Sequence, residues 1–275
     1  MKYALLAIDI DGTLHTSDRE IPHSVPPYLM ELEERGVLVM LCTGRRYRTA
    51  LPIYDSLLLM GPIVLHSGAL VMNPPDGERL YAQYLDVPAA ARCCAMMREE
   101  ALQPLVWEDN YPDSPDFIAA AGYTGFTKEY VDRHAEFTAE VEDLRRLDSP
   151  RILEVGAWDR FDALASVADK IAGEFGGSVR VHIARDIIDG RSILEVMSPR
   201  AGKWNAVRHL ADIHGIAGDA IAAVGDNYND IELIANAGFG VAMGNAVDSV
   251  KAAAEHVTSS NDEEGLYTAL RKIFG

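Results

Sequence analysis

The sequence predicts an α/β protein: a Rossmann-like parallel-sheet core with helices on both faces, interrupted by an inserted α+β domain. Three observations predict it. Apolar runs, within Tyr3 to Ile10 and at Val37 to Leu41 and Ile63 to Leu65, each stand beside a helical segment. Such runs mark strands buried on both faces, and strands of that kind alternating with helices build a parallel sheet. The same alternation returns between Lys203 and Met243, near the other end of the chain. Between the two, from about Leu85 to Gly190, apolar and polar residues mix more evenly and polar loops separate the segments.

Taken in order, Tyr3 to Ile10 is the first strand. Ser24 to Arg35 is an amphipathic helix closed by Gly36, and Val37 to Leu41 is the second strand. A helix is expected from Arg45 to Leu58, with Thr43-Gly44 at its N-cap, and a third strand at Ile63 to Leu65. In the middle, Ala89 to Ala101 and Phe161 to Phe175 read as helices, and Arg151 to Val155 and Ser178 to His182 as strands. Ile193 to Val196 reads as the strand before a helix at Lys203 to His214. Then come a strand at Ala220 to Val224, a helix at Asp230 to Ala237, a short strand at Gly240 to Met243, and a last helix opening near Asn261 to Glu264 with acids at its N-terminus. The core is thus expected to comprise residues 1–84 and 191–275 and the inserted cap residues 85–190. Hinges are expected near Leu85-Asp86 and Ile188-Asp189-Gly190-Arg191.

Bulk composition narrows the function. The 275 residues carry a formal net charge of −17, which disfavours nucleic acid and anionic lipid as partners. A phosphorylated substrate would need local positive charge from a metal, a lysine or helix N-termini. Cys42, Cys93 and Cys94 have no metal-ligand spacing and fit a reducing compartment. Asp9 and Asp11 cut the N-terminal apolar run too short for a signal peptide. Gly61-Pro62, His66-Ser67-Gly68 and Asn73-Pro74-Pro75 interrupt the uncharged stretch between Asp55 and Asp76, so it does not read as a membrane span. The expectation is a cytoplasmic protein; its oligomeric state is not legible.

In a parallel α/β sheet, ligands bind beyond the carboxyl ends of the strands. Four features are expected there: Asp9-Ile10-Asp11-Gly12-Thr13, Cys42-Thr43-Gly44-Arg45, Lys203, and Gly225-Asp226-Asn227-Tyr228-Asn229-Asp230. Carboxylates converging in this way repel one another unless a hard divalent cation joins them, and aspartate oxygens favour Mg²⁺. Asp9 and Asp226 can hold the ion, which leaves Asp9 ionised as a nucleophile and Asp11 free to act as general acid and base. Thr43, the Gly44 amide and Lys203 suit the oxygens of a phosphoryl group.

The set DIDGTL, CTGR, a later lysine and GDNYNDIELI, in that order, resembles the four motifs of the haloacid dehalogenase-like hydrolases. An insert between the second motif and the lysine resembles the Cof-type branch, with its larger α+β cap. The resemblance covers essentially the whole chain. It implies that Asp9 forms an aspartyl-phosphate, and that Asp11 protonates the leaving alcohol and then activates water. It implies Mg²⁺ held by Asp9, the Asp11 backbone carbonyl and Asp226, phosphate held by Thr43 and Lys203, and support from Asn229 and Asp230. Asn229 is also a candidate phosphate contact, and Arg45 a candidate substrate contact beside its simpler reading as a solvated residue. The substrate implied is a small phosphorylated metabolite, with sugar phosphates the commonest. The chain departs from the branch at Ser67-Gly68-Ala69, where Asn-Gly-Ala is frequent, at Trp204, where Gly is frequent, and at His15, where an apolar or small residue is commoner.

Other features carry simpler readings. The glycines from Gly238 to Gly244 precede a strand, which excludes a dinucleotide fingerprint. His182 and His214 lack zinc spacing, and Asp109, Asp113 and Asp116 lack the glycine and terminal glutamate of a calcium loop. Trp107 to Tyr111 is a turn that is either solvated or turned toward substrate. Two other functions use the same residues. A phosphosugar mutase would need cap cations such as Arg151, Arg180, Arg185 or Arg191, whereas a non-catalytic phosphometabolite-binding regulator would not need the intact set Asp9, Asp11, Lys203 and Asp226.

Overall fold

The computed structural model describes residues 2–74, 76–185 and 192–275. It contains two compact units, Met1–Ala82 with Gly202–Gly275, and Gln83–Ala201.

The first unit opens with β1 (Leu5–Asp9), whose Leu5, Leu6, Ala7 and Ile8 are wholly buried. Burial of a leucine or isoleucine side chain contributes roughly 1.5–3 kcal/mol, so this strand can occupy only the middle of a covered sheet. There follow α1 (Val25–Glu34), β2 (Leu38–Cys42), α2 (Tyr47–Leu57), β3 (Ile63–Leu65), β4 (Leu70–Asn73) and β5 (Glu78–Ala82). The second unit contains α3 (Val87–Glu99), β6 (Leu105–Glu108), β7 (Phe117–Ala120), α4 (Gly125–Arg133), β8 (Thr138–Val141), β9 (Ile152–Asp159), α5 (Phe161–Phe175), β10 (Arg180–Arg185) and β11 (Ser192–Met197). The chain then returns to the first unit with α6 (Lys203–Ile213), β12 (Ile221–Gly225), α7 (Ile231–Asn236), β13 (Phe239–Ala242), α8 (Asp248–Ala253), β14 (His256–Val257) and α9 (Gly265–Phe274).

The core sheet has eight strands in the order β14-β13-β12-β1-β2-β3-β4-β5. The six from β14 to β3 are parallel, and the register sets Ala7 between Ala223 of β12 and Met40 of β2. The carboxyl ends of β1, β2 and β12 are therefore neighbours. The parallel core expected from the sequence carries an addition at one edge, where β4 and β5 run antiparallel as a meander after β3. Short connections, Gly68 to β4 and the turn before Glu78, leave no room for a crossover helix, so those strands can only reverse.

The second unit is a six-stranded sheet, β10-β11-β9-β6-β7-β8, antiparallel except for the β7–β8 pair. One face packs against α3 and α5 through Val106, Val155, Ala157, Leu194, Val196, Leu164 and Ile171. On the other, Trp107, Phe117, Val131, Tyr130 and Trp158 form a smaller aromatic cluster. The segment Ile193 to Val196 does not precede Lys203 as a core strand. It belongs to β11, which pairs antiparallel with β9 and β10 in the second sheet. The expected hinge at Ile188 to Arg191 lies outside the described residues. Glu154 and Glu195 are buried on this sheet, and His182 Nε2 lies 2.8 Å from Glu195 Oε2. The Trp107 to Tyr111 turn is held within the unit. Tyr84 donates to Asp109 at 2.7 Å, Asn110 donates to Glu108 at 2.9 Å, and Arg151 donates to Asn110 at 3.1 Å. Cys93 and Cys94 are buried on α3, as packing residues.

Candidate active site

Two strand ends of the core, those of β1 and β12, supply one acidic cluster. Asp9 ends β1, Asp226 follows β12, and Asp230 closes a short turn, Tyr228–Asp230, before α7. One carboxylate oxygen from each of Asp9, Asp226 and Asp230 lies within 4.8 Å of the others, and all three residues are buried. Lys203, the first residue of α6, is 1% exposed and enters the same cluster. Its Nζ donates to Asp9 Oδ1 at 2.6 Å and to Asp230 Oδ1 at 2.7 Å.

The electrostatics follow from that burial. Desolvation pushes Asp9 well above the usual carboxylate range; Lys203 opposes this, and Asp230, Asp226 and Asp11 add to it. Desolvation and then Asp230 push Asp226 up to about 7. Burial alone would lower Lys203, but Asp230 and Asp9 outweigh it and hold the ammonium well above its ordinary value. Were all three carboxylates ionised, the one ammonium would leave two net negative charges, and that repulsion adds to desolvation in raising Asp9 and Asp226. Asp9 Oδ2 is buried with no hydrogen-bond partner. An orphaned buried carboxylate oxygen at the centre of three acids is what a divalent cation would complete.

Local structure explains why these side chains arrive together. Between Asp9 and His15 the backbone turns tightly, with Asp11 extended and Gly12 at φ +86°. A Cβ at Gly12 would lie 2.4 Å from Asp226 Oδ2, so only glycine lets this loop meet the β12 loop. Thr13 donates to Asp226 Oδ1 at 3.2 Å. Asp230 Oδ2 accepts the backbone N–H groups of Asp226 and Asn227 at 3.1 and 3.0 Å. With Oδ1 on Lys203, both oxygens of Asp230 are engaged as supports.

Several residues that the motifs mark sit differently from the simple expectation. The Asp11 carboxylate is outside the acidic cluster. Arg45 grips both of its oxygens, Nε to Oδ2 at 2.7 Å and Nη2 to Oδ1 at 2.5 Å. Burial would raise Asp11, but the guanidinium outweighs it and holds the carboxyl below its usual range. The partly exposed Arg45 is thus engaged by Asp11 in this structure. Thr43 is buried but does not cap α2, which starts at Tyr47 with Arg46 as its N-cap. The Thr43 Oγ instead accepts the N–H of Arg45 at 3.0 Å and fixes the bend that presents the exposed Gly44. Asn229 donates to Ser67 at 3.1 Å, while its Oδ1 is buried without a partner.

Some supporting residues were not foreseen. His66, Ser67 and Gly68 all have positive φ, of 46°, 50° and 98°. A Cβ at Gly68 would lie 2.1 Å from the Gly202 carbonyl carbon, so this turn abuts the backbone that launches Lys203. The Ser67-Gly68 step, noted in the sequence only as a departure, therefore positions both Lys203 and Asn229. Asn245 donates to the Gly12 carbonyl at 2.8 Å and accepts the Asn261 N–H at 3.0 Å, and Asn261 donates to the His15 carbonyl at 2.9 Å. Two asparagines from the far end of the chain thus hold the Asp9–His15 loop. Isolated polar residues in turns give no sequence signal for such a role.

Known proteins are similar to this chain over nearly its whole length. The family model for haloacid dehalogenase-like hydrolases matches residues 6–270. The 5-amino-6-(5-phospho-D-ribitylamino)uracil phosphatase YitU of Bacillus subtilis is 26% identical over 286 residues, covering 98% of this chain and 97% of its own. The HMP-PP phosphatase of Cronobacter sakazakii is 26% identical over 255 residues, covering 91% of this chain and 88% of its own. The crystal structure of a haloacid dehalogenase-like hydrolase from Bacteroides thetaiotaomicron superposes with a TM-score of 0.80 at 25% identity, covering 99% of this chain and 100% of that one.

Proposed function

The chain belongs to the haloacid dehalogenase-like hydrolases and is a phosphatase; from that premise we propose that it hydrolyses a small phosphomonoester in a Mg²⁺-dependent reaction through an aspartyl-phosphate on Asp9. The observation that carries this reading is the buried cluster of Asp9, Asp226 and Asp230 around Lys203, with one oxygen of Asp9 left without a partner. Asp9 and Asp226, with the Asp11 backbone carbonyl, would hold Mg²⁺, and Asp230 would brace the ion's loop and Lys203. The bound ion would offset the charge of the carboxylates and of the phosphoryl oxygens.

Asp9 attacks phosphorus, and the phosphorus–oxygen bond to the leaving alcohol breaks. Asp11, once it has left Arg45 and taken up a proton from solvent, gives that proton to the alcohol, then takes one from the water that cleaves the aspartyl-phosphate. Thr43, the Gly44 amide, Lys203 and Asn229 bind the transferring group's oxygens. The core residues recognise only that group, so we assign the choice of leaving alcohol to the inserted unit. The names of the two phosphatase relatives, one acting on a phosphoribitylaminouracil, support a small phosphorylated metabolite as the substrate class. No helix among the described residues is long and apolar enough to cross a membrane. Cys42, Cys93 and Cys94 are free thiols, which supports a reducing compartment, and we assign the enzyme to the cytoplasm on that ground.

The test is phosphate release from a panel of sugar phosphates and phosphorylated heterocycle precursors, with Mg²⁺, with a chelator, and in Asp9→Asn. Turnover that needs Mg²⁺ and is lost in Asp9→Asn by at least about three orders of magnitude is expected. A folded Asp9→Asn protein that releases phosphate at the wild-type rate would refute the mechanism.

A further inference from the structure

His15 departs from the family pattern and has no part in the reading above, yet its surroundings give it one. Its backbone is fixed at both ends: its N–H donates to the Ile10 carbonyl at 2.9 Å and its carbonyl accepts from Asn261 at 2.9 Å. The residue is 7% exposed, and its ring Nδ1 is buried with no hydrogen-bond partner. That nitrogen lies 3.9 Å from Asp11 Oδ1. Asp11 meanwhile has both oxygens taken by Arg45, whose remaining nitrogen, Nη1, donates to the Thr49 carbonyl at 3.4 Å.

A carboxyl group that exchanges a proton with a leaving alcohol must turn one oxygen toward it, and a two-point grip by arginine pins both oxygens of Asp11 on the guanidinium. Moving Oδ1 by about 1 Å would bring it to hydrogen-bond distance of His15 Nδ1, and that hold engages one oxygen only. We propose that His15 is a positioning residue for Asp11: its Nδ1–H receives Oδ1 when the carboxylate leaves Arg45, which fixes the carboxyl group and leaves Oδ2 free to face the reacting oxygen. The inference rests on the phosphatase reading, and Asp9→Asn separates the two.

The experiment measures kcat and KM for the full-length protein with Mg²⁺, in wild type, His15→Leu, His15→Asn, His15→Gln and Asp9→Asn, and measures His15→Leu again in an Asp11→Asn background. His15→Leu should lower kcat about tenfold with KM within about twofold, because misplacing a proton-transfer group affects the chemical step. His15→Asn places an amide N–H near the position of Nδ1 and should recover most of that loss; His15→Gln, which places it near Nε2, should not. In the Asp11→Asn background, His15→Leu should have no further effect. Wild-type kcat in His15→Leu, a loss expressed in KM, equal recovery by Asn and Gln, or the same fold-loss without Asp11 would each overturn the proposal. If Asp9→Asn is inactive while His15→Leu is unaffected, the positioning role fails alone; a fully active Asp9→Asn overturns both.

Discussion

Lys203→Met tests whether the acidic cluster depends on its one buried ammonium. Methionine nearly matches the lysine in length, so the packing around α6 is kept and the charge is lost. Two short bonds go, 2.6 Å to Asp9 and 2.7 Å to Asp230, and three buried carboxylates remain with no cation among them. Removing one partner of a buried ion pair destabilises by about 3–5 kcal/mol, because the desolvated charge left behind has nothing to offset it. At about 1.4 kcal/mol per tenfold, that corresponds to about two to three and a half orders of magnitude in the unfolding equilibrium of the core. Hydrogen exchange at the amides of β1 and β12 reads this unit by itself, without a contribution from the inserted unit. Protection there should fall by that factor in metal-free protein, while protection at β9 and β11 stays within threefold, about 0.7 kcal/mol. A loss of protection below about fivefold at β1 would refute the claim that Lys203 neutralises the cluster, since such a loss is typical of a solvated pair.

Gly12→Ala should abolish Mg²⁺-dependent stabilisation and lower turnover at least about a hundredfold, because its Cβ falls on Asp226 Oδ2 at a backbone φ of +86°; melting with and without Mg²⁺ checks it. Adding Mg²⁺ to the wild type at a hundred times its Kd should stabilise the core by about 2.7 kcal/mol, seen as a rise in Tm that Asp226→Asn removes. In the inserted unit, burial and then Glu195 push Glu154 well above the usual carboxylate range. A carboxyl group raised on folding contributes stability that is present below its unfolded value near 4.5 and is lost as pH rises through the folded value. Exchange protection of β9 should therefore fall as pH rises above about 5, and Glu154→Gln should flatten that dependence; an unchanged pH profile in Glu154→Gln would contradict it.

The residues that the core brings together were legible in the sequence because each motif is local. Asp9 and Asp226 sit at the ends of continuous apolar runs, and a parallel sheet gathers such ends whatever the intervening chain does, whereas Lys203 opens a helix, α6. Features that depend on pairing between distant segments were not legible. Ile193 to Val196 is as apolar as a core strand, and only its antiparallel partners in β9 and β10 assign it to the second sheet. The short strands β6, β7 and β8 and the helix α4 lie among polar turns whose periodicity is too brief to read. Arg45 illustrates the same limit at the site. Its spacing after Thr43 and Gly44 says that it lies near the phosphate site, but its bond to Asp11 joins two motifs 34 residues apart. Thr43 reads as a helix cap because capping and turn-forming hydroxyls have one local signature; only the observed start of α2 at Tyr47 separates them.

The pairing of cations with anions inside the core has a consequence for the order of binding. Two cationic side chains are marked in the sequence, Lys203 for the phosphate and Arg45 as a candidate substrate contact. Lys203 already sits on Asp9 and Asp230, and Arg45 already holds both oxygens of Asp11. A phosphate dianion approaching a chain of net charge −17 would meet these pairs and a cluster of three carboxylates, each of which repels it when ionised. Two like charges 4 Å apart repel by about 4 kcal/mol at the effective dielectric near a protein surface, enough to weaken binding about a thousandfold. A divalent ion on Asp9 and Asp226 reverses the sign of that interaction, so the ion should bind before the anion. Titration calorimetry with inorganic phosphate checks this: heat of binding is expected with Mg²⁺ present and none at millimolar phosphate after chelation. Equal affinity under the two conditions would mean that Lys203 or Arg45 releases its carboxylate for the phosphate without help from an ion, and the charge argument would fail at that residue.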